Sequence, residues 1–183
     1  MKVVRLLLFL AGFHLVHSQS LLSAISAYPQ LSDFTHLLKI NSTLAQSLLN
    51  TSLVGGEQTI LVPSNTAFTK YQQTTGQAFE SSGPKHIQTT LQYHTLNASL
   101  TSAVLAQKPD IVLSTQLTDP QYDLIASTAN TNLKVNGQVL YITSTGGPTN
   151  SSTASVDSGL GSIGEMHLVD GTWSGGKFQI VDS

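Results

Sequence analysis

The stretch Thr59-Ile60-Leu61-Val62-Pro63-Ser64-Asn65-Thr66-Ala67-Phe68 decides how this chain folds. Ile60, Leu61 and Val62 form a continuous apolar run, as expected of a strand buried on both faces. Pro63 has no N–H to give to a sheet and ends the strand. Ser64 and Asn65 offer side-chain oxygens that can cap a helix starting near Thr66. Ala67, Phe68 and Tyr71 give that helix an apolar stripe. Asn65, just after the buried run, is expected to be mostly inaccessible, with its side chain or that of Ser64 accepting from the first helical turn.

The whole string resembles the first signature of the fasciclin domain, roughly Thr-x-Phe-Ala-Pro-Ser/Thr-Asn/Asp-x-Ala-Phe. Thr59, Pro63, Ser64, Asn65, Ala67 and Phe68 stand at matching positions, and Leu61-Val62 replaces the usual Phe-Ala. Upstream, Leu31-Ser32-Asp33-Phe34 resembles the domain's Leu-Ser-x-Phe/Leu start. Downstream, Leu91-Gln92-Tyr93-His94-Thr95-Leu96 is similar to its Tyr-His segment. The final stretch, Gly175-Gly176-Lys177-Phe178-Gln179-Ile180-Val181-Asp182-Ser183, resembles the second signature, with Gln179 where the family usually has His. It stops before the Val-Leu that closes that signature, so this reading expects a domain truncated at its C-terminal end or a fragment of a longer protein.

The resemblance covers about residues 20–183. It implies an α+β fasciclin-like fold: a twisted β-sandwich or wedge, with several short α-helices packed N-terminally and beside it. It also implies extracellular adhesion or matrix association through surface contacts, without catalysis or cofactor. The implied partners are matrix, cell-wall polysaccharide or cell-surface proteins. In animal members the Tyr-His segment has been proposed to bind integrins, which makes Tyr93 and His94 the candidate adhesion segment. Their own chemistry favours a structural role, because aromatic and imidazole side chains at a helix–strand junction usually complete a core. Asp110-Ile111 matches the family's Asp-Ile adhesion motif in letters only. It lies far ahead of the terminal strand, and the role is not carried over.

Helical spacing organises the first third of the mature chain. Leu21, Leu22 and Ile25 form one stripe, broken by Tyr28-Pro29. Leu31, Phe34, Leu37 and Leu38 form a second. After Asn41-Ser42-Thr43, Leu44, Leu48 and Leu49 form a third, and Gly55-Gly56 turns the chain into the strand at Thr59. Gly83-Pro84 starts another helix, with Ile87, Leu91 and His94 on one face. From Asn97 the pattern changes to short strands, at 111–113, 124–126, 133–135, 139–143, 153–156 and 178–181. Asn136-Gly137 is a hairpin signal. Residues 144–155, rich in Ser, Thr and Gly, read as an exposed loop. In the last strand Phe178 and Ile180 alternate with Gln179, which predicts one apolar face.

Residues 1–18 read as a signal peptide. Lys2 and Arg5 precede an apolar core from Leu6 to Val16 that is too short to span a bilayer, and Val16 and Ser18 suit a cleavage site before Gln19. The expected organisation is thus a signal at 1–18 and a single domain over 19–183. Taking Lys2 and Arg5 from the eight basic side chains leaves six against ten acidic ones, a net charge of −4. That opposes binding to nucleic acid or to anionic membrane. At 40% hydrophobic and 10% charged, the chain is globular rather than disordered. Cysteine is absent, which removes thiol chemistry and thiolate metal sites. Asn41, Asn50, Asn97 and Asn150 head Asn-x-Ser/Thr sequons, each a candidate glycosylation site on the surface.

The alternative to adhesion is a secreted enzyme or small-ligand-binding protein with an unrecognised site, and the specific chemistries such a site would use find little support. Gly159-Leu160-Gly161-Ser162-Ile163-Gly164 matches a dinucleotide fingerprint in letters. That fingerprint must open a helix early in a larger fold, so here it reads as a glycine-rich strand connection. No Gly-x-Ser-x-Gly elbow is present. His36, His86, His94 and His167 show no metal-ligand spacing, and no acidic loop resembles a calcium site.

Overall fold

The computed structural model describes residues 19–41, 43, 46, 57–108, 110–122, 138–144, 153–158 and 163–182. In chain order its main elements are α1 (Leu21–Ile25), α2 (Ser32–Ile40), β1 (Gln58–Pro63), α3 (Asn65–Thr75), α4 (Pro84–Tyr93) and β2 (Thr95–Leu96). They continue with α5 (Ser102–Gln107), β3 (Asp110–Ser114), β4 (Val139–Ser144), β5 (Thr153–Ser158), β6 (Ile163–Trp173) and β7 (Gly176–Val181).

The seven strands form one mixed sheet in the order β2-β1-β7-β6-β5-β4-β3. Among the described strands only β1 and β7 run parallel, with Ile60 beside Phe178 and Val62 beside Ile180; the other pairs are antiparallel. The sheet curls until its two ends nearly meet. Leu96 bridges Thr115, and the Asn97 N–H donates to the Ser114 carbonyl at 3.0 Å.

This curl divides the apolar core in two. Ile60, Val62, Phe178 and Ile180 face the helices, packing with Leu21, Leu31, Phe34, Leu37 and Leu91. Leu61 and Val181 point the other way, into the curled sheet, with Leu96, Leu105, Leu140, Ile142 and Met166. A strand between two cores must be apolar on both faces, which is why β1 reads as an unbroken run.

The helices start where the local chemistry requires. Ser20 accepts from the Ser23 N–H at 3.2 Å, Pro84 opens α4 after Gly83, and Thr101 accepts from the Val104 N–H at 3.3 Å to cap α5. At the first corner Ser64 is the cap, accepting from the Ala67 N–H at 3.4 Å. Asn65 departs from expectation. It is half-buried rather than enclosed, and it serves a different helix. Its Oδ1 accepts from the Asp33 N–H at 3.1 Å, and its Nδ2 donates to Ser32 Oγ at 2.9 Å. The corner therefore ties the start of α3 to the start of α2, thirty-odd residues earlier.

Three further departures are physical in origin. The longest strand, β6, breaks its alternation at a bulge between His167 and Gly171, where Asp170 has φ 47°, so no period-2 pattern runs its full length. The helix α5 is a single capped turn-and-a-half inside a region whose residues read as strands. In β7, Gln179 does not face solvent: Phe178, Gln179, Ile180 and Val181 are all buried. The strands expected at 124–126 and 133–135, the Asn136-Gly137 turn, Leu44, Leu48 and Leu49, and residues 145–152 of the expected loop fall outside the described residues, whereas the two ends of that loop are strand: Ser144 closes β4 and residues 153–155 open β5. Residues 1–18 and most of Gly159–Gly164 also fall outside the described residues; Ile163 and Gly164 begin β6.

Candidate functional site

Tyr93 and His94 sit where α4 turns into β2. The Leu61 N–H donates to the His94 carbonyl at 2.8 Å, and His94 Nδ1 lies 2.9 Å from the Leu61 carbonyl. A carbonyl only accepts, so Nδ1 carries the proton and Nε2 is left as an acceptor. Burial pushes the imidazole below its ordinary pKa, against the smaller opposite pull of the Leu61 carbonyl. His94 is thus a neutral ring clipped to the middle of β1. Tyr93 is half-buried; burial raises its pKa, and its hydroxyl hydrogen-bonds Ser158 on β5. The pair joins α4 to two strands that lie three places apart in the sheet.

His94 also separates two clefts. One opens into the curled sheet and is lined by Leu61, Tyr93, Leu140, Val156 and Ser158. The other opens among the helices against Phe34, Phe68, Tyr71, Phe79 and Leu91. Its aromatic wall is a chain of edge-to-face contacts: Phe68–Phe79 at 5.7 Å and Tyr71–Phe79 at 5.1 Å between ring centres.

Two polar constellations hold β6 and β7 in place. Gln179 is fully buried and uses all four of its main hydrogen-bonding directions. Its Oε1 accepts from the N–H groups of Val169 (2.8 Å) and Asp170 (3.0 Å) at the β6 bulge. Its Nε2 donates to the Leu100 carbonyl and to Asp170 Oδ1, both at 2.9 Å. Asp170 also accepts from the Ser102 N–H at 2.9 Å and from the Ser102 hydroxyl. Burial opposes its ionisation, but the hydrogen bonds from Ser102 and Gln179 outweigh burial and hold its carboxyl below the usual range.

The second constellation is Ser64, Asp182 and His167. The Ser64 hydroxyl donates to Asp182 Oδ1, and His167 Nε2 lies 2.9 Å from Asp182 Oδ2. Lys70 Nζ donates to the Asp182 carbonyl. Here too burial is outweighed by the hydrogen bonds from Ser64 and His167, and the Asp182 carboxyl is held low. These are the residue types of a hydrolytic triad in a different order. The carboxylate stands in the middle, so His167 contacts Asp182 and not Ser64, and the imidazole is not placed to take the serine proton. The row instead locks the end of β7 to the start of α3. Among the described residues no group of three or more His, Cys, Asp or Glu side chains could hold a metal ion.

The remaining candidates lie apart from this corner. Thr59, the first signature residue, is buried and links β1 to the 98–100 segment: its hydroxyl donates to the Ala98 carbonyl at 2.7 Å and accepts from the Leu100 N–H at 2.8 Å. Of the sequon residues, Asn97 is exposed beside the end of β3, Asn41 is half-buried at the end of α2, and Asn50 and Asn150 fall outside the described residues. One feature was missed by the sequence reading. Val112 on β3 and Tyr141 on β4 are direct cross-strand neighbours, 59% and 43% exposed, on the outermost strand pair. Only strand register puts them together; the sole hint was that both stand mid-strand with apolar residues on either side.

The fasciclin domain model matches residues 29–171. The chain belongs to the fasciclin domain family. Fasciclin domains are adhesion-type, non-enzymatic domains of extracellular and cell-surface proteins. The structure is similar to that of a FAS1 domain pair from the insect cell adhesion molecule fasciclin I, with a TM-score of 0.53 at 18% identity. That alignment covers 84% of this chain and 44% of the pair, so this chain spans under half its length. No curated protein sequence matches. Among the described residues, no helix of this fasciclin domain is long and apolar enough to cross a membrane.

Proposed function

We propose that this fasciclin domain is secreted, carries N-linked glycans, and holds cells to wall or matrix material through an exposed surface rather than through chemistry. The observation that carries the reading is the Val112–Tyr141 pair. Both side chains stand out on the outer strands β3 and β4, where a rigid sheet presents them at no ordering cost to a partner. Tyrosine is enriched among the residues that dominate binding interfaces. The expected net charge of −4 favours neutral polysaccharide or protein over an anionic surface.

Tyr93 and His94 are assigned a structural role in this reading. His94 is tied to Leu61 and Tyr93 to Ser158, so removing either side chain disturbs the fold before it disturbs a contact. Residues 1–18 act as the signal, the mature chain starts at Gln19, and Asn41, Asn50, Asn97 and Asn150 are the glycan sites. The domain over 19–183 works alone or as part of a longer protein.

Retention of the purified glycosylated protein on cell-wall and matrix fractions tests this. Val112→Ser with Tyr141→Ser should lose at least tenfold in retention at an unchanged melting temperature. Tyr93→Phe should retain its binding. Retention unaffected by the double variant, or abolished by Tyr93→Phe in a protein of normal stability, would place adhesion elsewhere.

A further inference from the structure

The outermost strand of the sheet, β3, is paired along only part of its free edge. The Thr115 N–H donates to the Gln138 carbonyl at 2.8 Å. Hydrogen-bonded pairs alternate along an antiparallel ladder, so in the β3–β4 register Leu113 and Ile111 turn their backbone groups toward β4. Asp110, Val112 and Ser114 turn theirs away from it. The far end of this edge is covered, because the Ser114 carbonyl takes the Asn97 N–H and Leu96 bridges Thr115. At Val112 the cover has ended. Among the described residues none bonds its outward N–H or carbonyl, and its side chain is 59% exposed.

The face beside this edge is acidic. Val112 stands opposite Tyr141, and Tyr141 opposite Asp157; Asp110 stands opposite Thr143, followed across the sheet by Ser155 and Glu165. All of these lie on the side away from the core of Leu140, Ile142, Val156 and Met166. Asp110 and Glu165 are exposed and Asp157 is half-buried. The strands β3, β4, β5 and β6 contain no Lys or Arg; Lys108 lies outside them, at the end of α5. Sheets blunt their open edges with charge. Here the charge has one sign, so it repels a second copy of the same edge and favours a basic segment. The unpaired backbone groups select polypeptide over a glucan, which has no amides to complete a ladder.

We propose that the free edge of β3 takes up an extended basic segment of another protein as an added antiparallel strand, with Arg or Lys side chains on the outer face beside Asp110 and Val112. This rests on the reading of Val112 and Tyr141 as the adhesion surface and names the class of partner it holds. Antiparallel is the sense of both pairings that β3 already makes, with β4 and with Leu96. In that geometry the residue opposite Val112 shares its face and exchanges both hydrogen bonds with it. The basic residues of the segment are therefore the ones whose N–H groups point at β3.

The probe is dansyl-labelled Arg-Val-Arg-Val-Arg-Val-amide, added to the mature glycosylated protein and followed by fluorescence anisotropy. Saturable binding that weakens with salt is expected, and the Glu-Val counterpart should bind at least about tenfold more weakly. N-methylation of the Arg residues keeps the charge and removes the N–H groups aimed at β3. It should cost about tenfold, as expected for the loss of about two ordinary hydrogen bonds. N-methylation of the Val residues, whose N–H groups point to solvent, should cost little. Val112→Pro removes the outward N–H and leaves the β3–β4 ladder intact; it should weaken binding more than Val112→Ser, which keeps that N–H. Asp110→Asn should weaken binding and flatten its salt dependence. Equal binding of the two N-methylated peptides, equal affinity for the acidic peptide, or a wild-type response that does not saturate would overturn the proposal. The N-methylated pair decides it even if Val112→Pro fails to fold. Displacement of the peptide by laminarihexaose, a neutral glucan, would overturn the partner class and leave the adhesion surface standing. If the protein with Val112→Ser and Tyr141→Ser loses the peptide yet keeps its retention on wall fractions, strand addition holds and the adhesion reading fails.

Discussion

Replacing Gln179 by Leu keeps the side-chain volume similar and removes every hydrogen bond it makes. Three backbone groups then lose their partner: the N–H groups of Val169 and Asp170 and the carbonyl of Leu100. A buried polar group left unsatisfied costs roughly 1–3 kcal/mol. Val169 and Asp170 are half-buried, so water can reach them in part. Taking the low end for each gives a loss of about 3 kcal/mol. That is a large part of a typical stability of roughly 5–15 kcal/mol, and corresponds to a melting shift of roughly 6–12 °C. Urea unfolding is a suitable assay, because the single Trp173 is 8% exposed and its indole N–H donates to the Lys177 carbonyl within the same hairpin. Its emission reports directly on β6 and β7. The family's usual residue supplies an internal control. The imidazole of Gln179→His has one donor and one acceptor in place of the amide's two donors and two acceptor sites, so its loss should fall between wild type and Gln179→Leu. A Leu variant within about 1 kcal/mol of wild type would refute the argument that this amide organises the β6 bulge. A His variant as unstable as the Leu variant would also refute it.

Of the three described glycines with positive φ, Gly76 and Gly176 should respond differently to alanine. At Gly176 (φ 146°) a Cβ would lie 2.0 Å from the Gln58 carbonyl oxygen, and at Gly76 (φ 75°) it would meet nothing within 4 Å. Gly76→Ala should therefore cost about 1 kcal/mol in thermal melts and Gly176→Ala clearly more; equal losses would contradict the strand contact. The His94 imidazole titrates below its unfolded value of about 6.5. The unfolded chain thus takes up the proton first, and the contribution of neutral His94 is lost as pH falls below that value. Melting temperatures of wild type and His94→Gln should converge from pH 7.5 to pH 5, and a constant gap would argue against a neutral, half-buried ring. Asp182 has a depressed folded value, so its contribution is present above about pH 3.9 and disappears as pH drops through the lower folded value. Asp182→Asn should flatten that acid limb in urea titrations, and an unaltered limb would mean that the Ser64–Asp182–His167 row contributes nothing.

Local chemistry alone determined the start of this fold. Ile60–Val62 had to be a doubly buried strand, Pro63 had to end it, and Ser64 had to cap what followed, because each is a property of a few adjacent residues. The stripe Phe34, Leu37 and Leu38 and the Gly83-Pro84 start were legible for the same reason. Together with the Tyr-His segment they named the family. The tertiary structure decided what depends on residues distant in sequence. Asn65 could cap its own helix or another, and only the packing of α2 against α3 sent it to Asp33. Gln179 looked like the polar alternate of a strand with one apolar face; the place of β7 between β1 and β6, opposite the β6 bulge, made it a buried hub. The bulge itself erased the alternation that would have revealed β6. His94, at the end of α4, and Phe68, in α3, line one cleft, and Val112 meets Tyr141 through the β3–β4 register. Periodicity encodes which side of its own element a residue faces, but not which element it will face across the gap.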